Sequence, residues 1–349
     1  MGNKKNYFWG ILFVVLAVLS IWAVSSGGNG LTFWELMDYL KSAQPVFLAL
    51  AVISSAGFIW FEGEALLAII KHVGYPRKRT RGMLYSAADV YFSAITPSAT
   101  GGQPASAFFM VRDGIPTAIA TAALVMNLVM YTMAILSLGI LAFLVKPGLF
   151  LGFSLLSRLL IIAGFITLAG LGAGFFLLLY KPRFLFGTVR KVLQGLHRIH
   201  LVRSPQKYLD KLTKAQKDYS DCVRIMSGSR TIWIKAYIFN LLQRLSQIMV
   251  TIMVYLATGG SLSSLPDLFV TQIMVVLGSN CVPIPGAMGV ADMLMLDGYT
   301  QLFSKDYAYH LELIGRSLSF YCCIFISAAM VLAGYLLLKK NGGQHDRGL

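Results

Sequence analysis

Six stretches of the chain, at about residues 7–24, 45–70, 115–145, 155–180, 231–257 and 311–338, are apolar over roughly the length that crosses a bilayer. Hydrocarbon offers no partner for backbone N–H and C=O groups, so segments of this kind must satisfy them internally as helices. The remaining composition agrees: 56% of residues are hydrophobic and 13% charged, and a mean hydropathy of +0.68 lies outside the range of a soluble globular domain. The expected fold is an all-α polytopic membrane protein, one membrane domain over residues 1–349, with about six full spans.

Charge between the spans sets their direction. Lys71, Arg77, Lys78, Arg79 and Arg81 follow the second span, and residues 181–235 hold thirteen Lys and Arg against Asp210, Asp218 and Asp221. Such loops stay in the cytoplasm, which places both termini there. The run at 7–24 carries Trp9 and Trp22 at its ends and is read as an uncleaved first span, although Ala23-Val24-Ser25 has the form of a signal-peptidase site. Leu185, Val189, Val192, Leu193, Leu196 and Ile199 fall at helical spacing among charges, predicting an amphipathic helix on the membrane surface within a basic segment at 181–230. The net charge of +15 is thus accounted for by topology and by anionic lipids at the basic loops, and no basic face interleaved with aromatics points to nucleic acid.

Two further apolar stretches are broken. Residues 93–105 contain Pro97, Gly101, Gly102 and Pro104, and residues 274–293 contain Pro283, Pro285, Gly286 and Gly289, with Asn280 before the break and Asp292 after it. Broken backbone at membrane depth is tolerated where it is buried in protein or lines a cavity. The charge rule makes 83–113 begin and end on the cytoplasmic side and 267–310 begin and end outside. The first is too short to cross twice and is expected to be a re-entrant helical hairpin; the second is just long enough for two tilted crossings, but its Pro and Gly content favours the same form. Span, hairpin, span then recurs in opposite orientation at about 45–145 and 230–338, an inverted repeat of the transporter kind.

Within these elements Thr96, Ser98 and Thr100 are natural N-caps, and Gly101-Gly102 lets a ligand approach the backbone. A helix starting near Gln103 to Ala105 would point free N–H groups and the positive dipole end into a cavity, an anion site in outline. Pro283, Pro285, Gly286 and Gly289 give the second hairpin the same character; plain helix kinks packed against neighbours explain either break alone equally well, and two breaks in inverted positions favour a site. Ionisable residues inside spans are costly and mark function by default: Glu62, Glu64, Asp89, Arg158, Arg244 and Arg316. Arg244 and Arg316 suit a phosphodiester, which a guanidinium grips with two parallel bonds. Each serves equally well in a buried ion pair with Glu62, Glu64 or Asp292. Gln243, Gln247 and Asn127 either complete a polar lining or bond between helices.

Signatures of enzymes are missing. His197 and His200 lack the HExxH pattern, no Walker loop or GxSxG occurs, and Cys222, Cys281, Cys322 and Cys323 have no CxxC spacing. No catalytic residue, metal ligand or cofactor is assigned.

The chain resembles the lysylphosphatidylglycerol synthase transmembrane-region family, the flippase-like domain of bacterial multiple peptide resistance factors. The resemblance rests on Thr96-Pro-Ser-Ala-Thr-Gly-Gly-Gln-Pro-Ala105, Pro283-Ile-Pro-Gly-Ala-Met-Gly-Val-Ala-Asp292 and Arg316. The family's second motif often ends in glutamate where this chain has Asp292, and commonly has Gly-Gly where it has Gly286-Ala287. The resemblance implies movement of anionic or aminoacylated phospholipid, of the lysylphosphatidylglycerol type, supporting resistance to cationic antimicrobial peptides. Full-length relatives add a soluble aminoacyl-transferase domain, for which this chain has no room after Leu338, so a phosphatidylglycerol lysyltransferase activity is not expected of it alone. A separate transferase and a homo-oligomer are compatible partners. On this reading Arg244, Arg316 and the two helix N-termini hold the phosphate, while Glu62, Glu64 or Asp292 meets a cationic group. A secondary transporter of a small anion, and a lipid-modifying enzyme or membrane partner of a separate phosphatidylglycerol lysyltransferase, are the alternatives.

Overall fold

The computed structural model describes residues 41, 43–96, 99–181, 187, 205–280, 287 and 289–345. Among the described residues the chain forms twelve α-helices: α1 (Pro45–His72), α2 (Arg79–Ile95), α3 (Gly102–Arg112), α4 (Thr117–Val145), α5 (Pro147–Gly152), α6 (Leu155–Tyr180), α7 (Pro205–Ser227), α8 (Arg230–Ala257), α9 (Leu265–Ser279), α10 (Val290–Tyr299), α11 (Lys305–Arg316) and α12 (Cys322–His345). No strand occurs among the described residues. Among the described residues six helical segments are long and apolar enough to cross a membrane: 45–72, 117–145, 155–180, 230–257, 262–279 and 305–336. The chain is a multi-pass membrane protein.

Five of these match the spans expected from sequence; the expected span at 7–24 lies outside the described residues. The sixth, 262–279, is the first arm of the later broken stretch, so that arm is longer than a Pro- and Gly-rich sequence implied. The last span begins at Lys305, not near Leu311, because α11 runs into α12 through a π-helical turn over Ser317–Tyr321. Such a turn frees backbone groups and often sits at functional sites. Here Ser55 of α1 donates its hydroxyl to the carbonyl of Leu318 at 2.7 Å.

Side-chain size decides which helices approach. α1 lies along α8, its first residue preceded by Gln44, whose N–H reaches the last carbonyl of α8, Ala257 O, at 2.8 Å. The two helices are therefore antiparallel, and Gly57 meets Ser246 where they touch. α1 crosses α2 at a pair of glycines: a Cβ on Gly63 would stand 2.8 Å from the backbone of Gly82. Small residues of this kind let membrane helices pack by their backbones. The consequence is local: Glu62 is brought against the next turns of α2.

Two apolar cores result. One joins α1, α2, α3, the start of α4, α7 and α12 through residues such as Leu66, Tyr85, Met110, Met126 and Tyr219. The other joins the end of α4 with α6, α8, α9, α10 and α11 through Ile135, Ile161, Met274, Leu277 and Tyr299. Each core holds one of the two broken stretches. The amphipathic helix expected within 181–199 falls outside the described residues, apart from Lys181 and Gly187. The amphipathic helix that is described is α7, whose Tyr219, Cys222, Val223 and Met226 are buried at one-face spacing. Tyr219 donates to Leu178 O at the end of α6 at 3.2 Å, and burial pushes the Cys222 thiol up to about 12.

Candidate functional site

The two breaks are built on the same local plan. Pro97-Ser98-Ala99-Thr100-Gly101 and Pro285-Gly286-Ala287-Met288-Gly289 share a Pro-x-Ala-x-Gly pattern. Ala99 and Ala287 are the only non-glycine residues with positive φ among the described residues, at 53° and 49°. In each, the next helix starts three residues later, at Gly102 and at Val290, with Gly101 and Gly289 as N-caps. The second helices, α3 and α10, have 11 and 10 residues, about 15 Å each, half the thickness of a hydrocarbon core.

At the first break, Thr96 joins the two arms: its hydroxyl donates to Phe92 O at 2.6 Å and accepts from Gly101 N at 2.9 Å. Thr100 is exposed, and Ser98 lies outside the described residues. α3 begins at Gly102, one residue before the expected start, and its N-terminus is already occupied by an anion of the protein itself. The Asp89 carboxyl lies against Gly102 so closely that a Cβ there would collide with it and with the Ser93 hydroxyl. Gln103 donates Nε2 to Asp89 Oδ2 at 2.7 Å and Ser93 donates to Oδ1 at 3.1 Å. A carboxylate at this position is favoured by the helix dipole.

Asp89 faces Glu62, whose carboxyl is within hydrogen-bonding range of it. Glu62 Oε2 accepts from Ser86 Oγ at 2.8 Å and from Gln243 Nε2 at 3.1 Å. Beside this pair stands Arg244 of α8, only 6% exposed. Its Nη1 donates to Gln247 Oε1 at 2.7 Å, and its guanidinium lies over the rings of Tyr131 and Phe58, 4.1 and 5.1 Å from their centroids. Among the described residues no carboxylate comes within ion-pair distance of Arg244, and its Nε has no hydrogen-bond partner. Gln103 Oε1 and Gln243 Oε1 are also buried without partners there. One turn away, Asn240 donates to Asn127 Oδ1 at 2.9 Å, so Asn127 bonds between helices.

At the second break Arg316 is committed. Its Nε meets Asp292 Oδ1 at 2.7 Å, as charges in contact without the alignment of a hydrogen bond, and its guanidinium lies 4.6 Å from the Phe320 centroid. Asp292 Oδ2 in turn accepts from Gly289 N at 2.8 Å, capping α10. Glu312, four residues before Arg316 on α11, stands in hydrogen-bonding range of Asp292. Asn280 closes its own helix, donating to Val276 O at 2.6 Å. Pro283, Pro285 and Gly286 lie outside the described residues.

The candidate residues thus fall into two groups: Glu62, Gln103 and Arg244 with Thr96, Gly101 and Gly102 around one break, and Asp292 and Arg316 around the other. Among the described residues no ion pair or hydrogen bond joins the two groups. Glu64 belongs to neither. It pairs with Arg79 at 3.2 Å, because two helical positions turn it about 200° away from Glu62. Sequence reasoning missed Glu312, although its spacing of four from Arg316 places both on one helix face, and it missed Asn240 and the repeated Pro-x-Ala-x-Gly.

Residues 7–327 match the family described as "Lysylphosphatidylglycerol synthase TM region". The chain belongs to that family. None of the curated proteins searched matches the chain. The family's match spans both breaks and all the residues of both groups, so the geometry above is that of a lysylphosphatidylglycerol synthase transmembrane region.

Proposed function

We propose that this membrane domain moves a phospholipid head group, anionic or aminoacylated, between the leaflets of the bacterial cytoplasmic membrane, and that Arg244 is the group that meets the head-group phosphate. The observation carrying this reading is the buried guanidinium of Arg244, which has no carboxylate within ion-pair distance among the described residues. A charge withdrawn from water costs several kcal/mol unless it is paired, and a phosphate bound beside the first break supplies the missing partner. The aromatic rings and Gln247 hold Arg244 ready without neutralising it, and the half-length helices α3 and α10 are the arms of re-entrant hairpins in an inverted repeat over about 45–145 and 230–338. Asp89 and Asp292 occupy the helix N-termini, so the dipoles stabilise internal carboxylates rather than the lipid. The carboxyls beside Arg244 suit the ammonium of an aminoacylated lipid. Arg316, tied to Asp292, holds the second break together.

The test is exchange of fluorescent lysylphosphatidylglycerol, phosphatidylglycerol and phosphatidylcholine across proteoliposome membranes. Arg244→Ala is expected to slow exchange of the charged lipids by about tenfold to a hundredfold, the worth of a hydrogen bond to a charged group at about 1.5–3 kcal/mol. Arg244→Lys should fall between, since an ammonium lacks the planar fork. Unchanged exchange in Arg244→Ala overturns the assignment. A protein that moves free phosphate or another small anion but no lipid is a secondary transporter instead.

A further inference from the structure

We infer that Glu62 and Asp89 form one proton-binding site, whose proton comes from and returns to bulk water as the first break binds and releases its ligand. The inference rests on the reading of Arg244 as the head-group contact, and it supplies what that reading leaves open: a means of coupling head-group movement to an ion.

The argument is one of partners. Glu62 is 5% exposed, and Ser86, Gln243, Ser93 and Gln103, all neutral, donate to the two carboxyls. Across the elements packed on the pair, the charged and titratable groups facing it are Arg244 of α8 and Tyr131 of α4. Arg244 lies outside ion-pair distance of both carboxyls and is turned toward Gln247 and the rings. An ionised carboxyl only accepts hydrogen bonds. Two of them facing each other at hydrogen-bonding range therefore need one proton between them, and adjacent carboxyls, Glu62 buried and Asp89 part-buried, with neutral donors do not both ionise cheaply. With that proton the Glu62, Asp89 and Arg244 group is neutral; without it the group carries one negative charge.

Ligand and proton are then linked by charge. An anionic head group at Arg244 binds better to the protonated pair, and by reciprocity its binding favours proton uptake. A cationic head group has the opposite preference and favours proton release. At the second break Arg316 is in contact with Asp292 at 2.7 Å, so the Asp292 and Glu312 pair already has the close counter-ion that the first pair lacks among the described residues.

Two measurements test this on the full chain. Infrared spectroscopy of the purified protein at neutral pH should show a protonated-carboxyl C=O band that is lost in Glu62→Gln and in Asp89→Asn. Either variant alone suffices if the other does not fold. In proteoliposomes, exchange of phosphatidylglycerol should fall as pH rises, by up to about tenfold per pH unit, the limit for one linked proton, and this slope should flatten in Glu62→Gln whatever its absolute rate. A wild type without the band, or with exchange independent of pH, overturns the proton site while leaving the flippase reading intact. Absence of exchange for every lipid overturns the flippase reading, and the infrared band then decides the proton site alone.

Discussion

The two breaks share a Pro-x-Ala-x-Gly sequence, a left-handed alanine, a glycine N-cap and a carboxylate at the helix start, yet their arginines are used differently. Arg316 is spent on Asp292, 2.7 Å away. Arg244 is held by a glutamine and two aromatic rings and keeps its charge unpaired among the described residues. The same local scaffold thus supports a closed site and an open one, and the difference lies in what the neighbouring helices present. α8 passes the first break with its guanidinium beside the acidic pair but outside ion-pair distance, whereas α11 brings Arg316 and Glu312 to the carboxylate that caps α10. A residue type in a membrane span marks a site only when its partners are known.

The largest expected effects separate the two arginines by what they damage. Arg244→Leu removes a buried guanidinium that makes no ion pair among the described residues, so thermal stability in detergent should fall less than in Arg316→Leu while exchange of charged lipids drops about tenfold or more. Arg316→Leu leaves Asp292 without its partner and should cost about 1–3 kcal/mol, discounted from the fully buried case because the Asp292 side chain is 34% exposed. Adding Asp292→Asn should recover part of that loss. If the two single variants behave alike in both assays, the distinction between open and closed breaks is wrong.

The glycines sharpen the same contrast. Gly102→Ala drives a Cβ into the Asp89 carboxyl and the Ser93 hydroxyl, an overpacking worth about 1–3 kcal/mol, and trimming Asp89 to Ala should relieve part of it. Gly289 has open space around its Cα but φ +78°. Gly289→Ala should therefore cost about 1–3 kcal/mol through backbone strain alone, and no trimming of a neighbour should relieve it. Chemical denaturation of the four proteins checks both statements. By comparison Glu64→Gln should cost under about 1 kcal/mol, since its partner Arg79 is 73% exposed, and should leave lipid exchange alone.

The spans were legible because a bilayer-length apolar run has one solution in lipid. The breaks were legible because Pro and Gly in such runs must be sheltered. What the sequence did not disclose was pairing. Nothing in the spacing of Glu62, Asp89, Gln103 and Gln243 says that they converge, because the convergence depends on Gly63 meeting Gly82 and on α1 lying along α8. The free helix N-termini expected at the breaks were misread for the same reason: Asp89 comes from the opposite arm, and its approach to Gly102 is a tertiary fact. The start of the last span was placed late because the charged and polar residues from Lys305 to Arg316 conceal a helix whose other face is apolar and buried.

The smallest expected effect probes what the breaks have in common. Ala99 and Ala287 each hold a left-handed φ, which costs an L-residue roughly 1–2 kcal/mol that glycine does not pay. Glycine loses more chain entropy on folding, about 0.5–1 kcal/mol, so Ala99→Gly and Ala287→Gly should each stabilise the protein by no more than about 1 kcal/mol, in the same direction. Valine at either position should destabilise, because branching at Cβ makes the left-handed region worse. Parallel shifts in the denaturation midpoints of the two alanine positions would mark the turns as equivalent, as the repeated Pro-x-Ala-x-Gly requires. A gain at one and a loss at the other would mean that only one break keeps this turn, and the division of labour between the arginines would then follow from different backbones rather than from different neighbours.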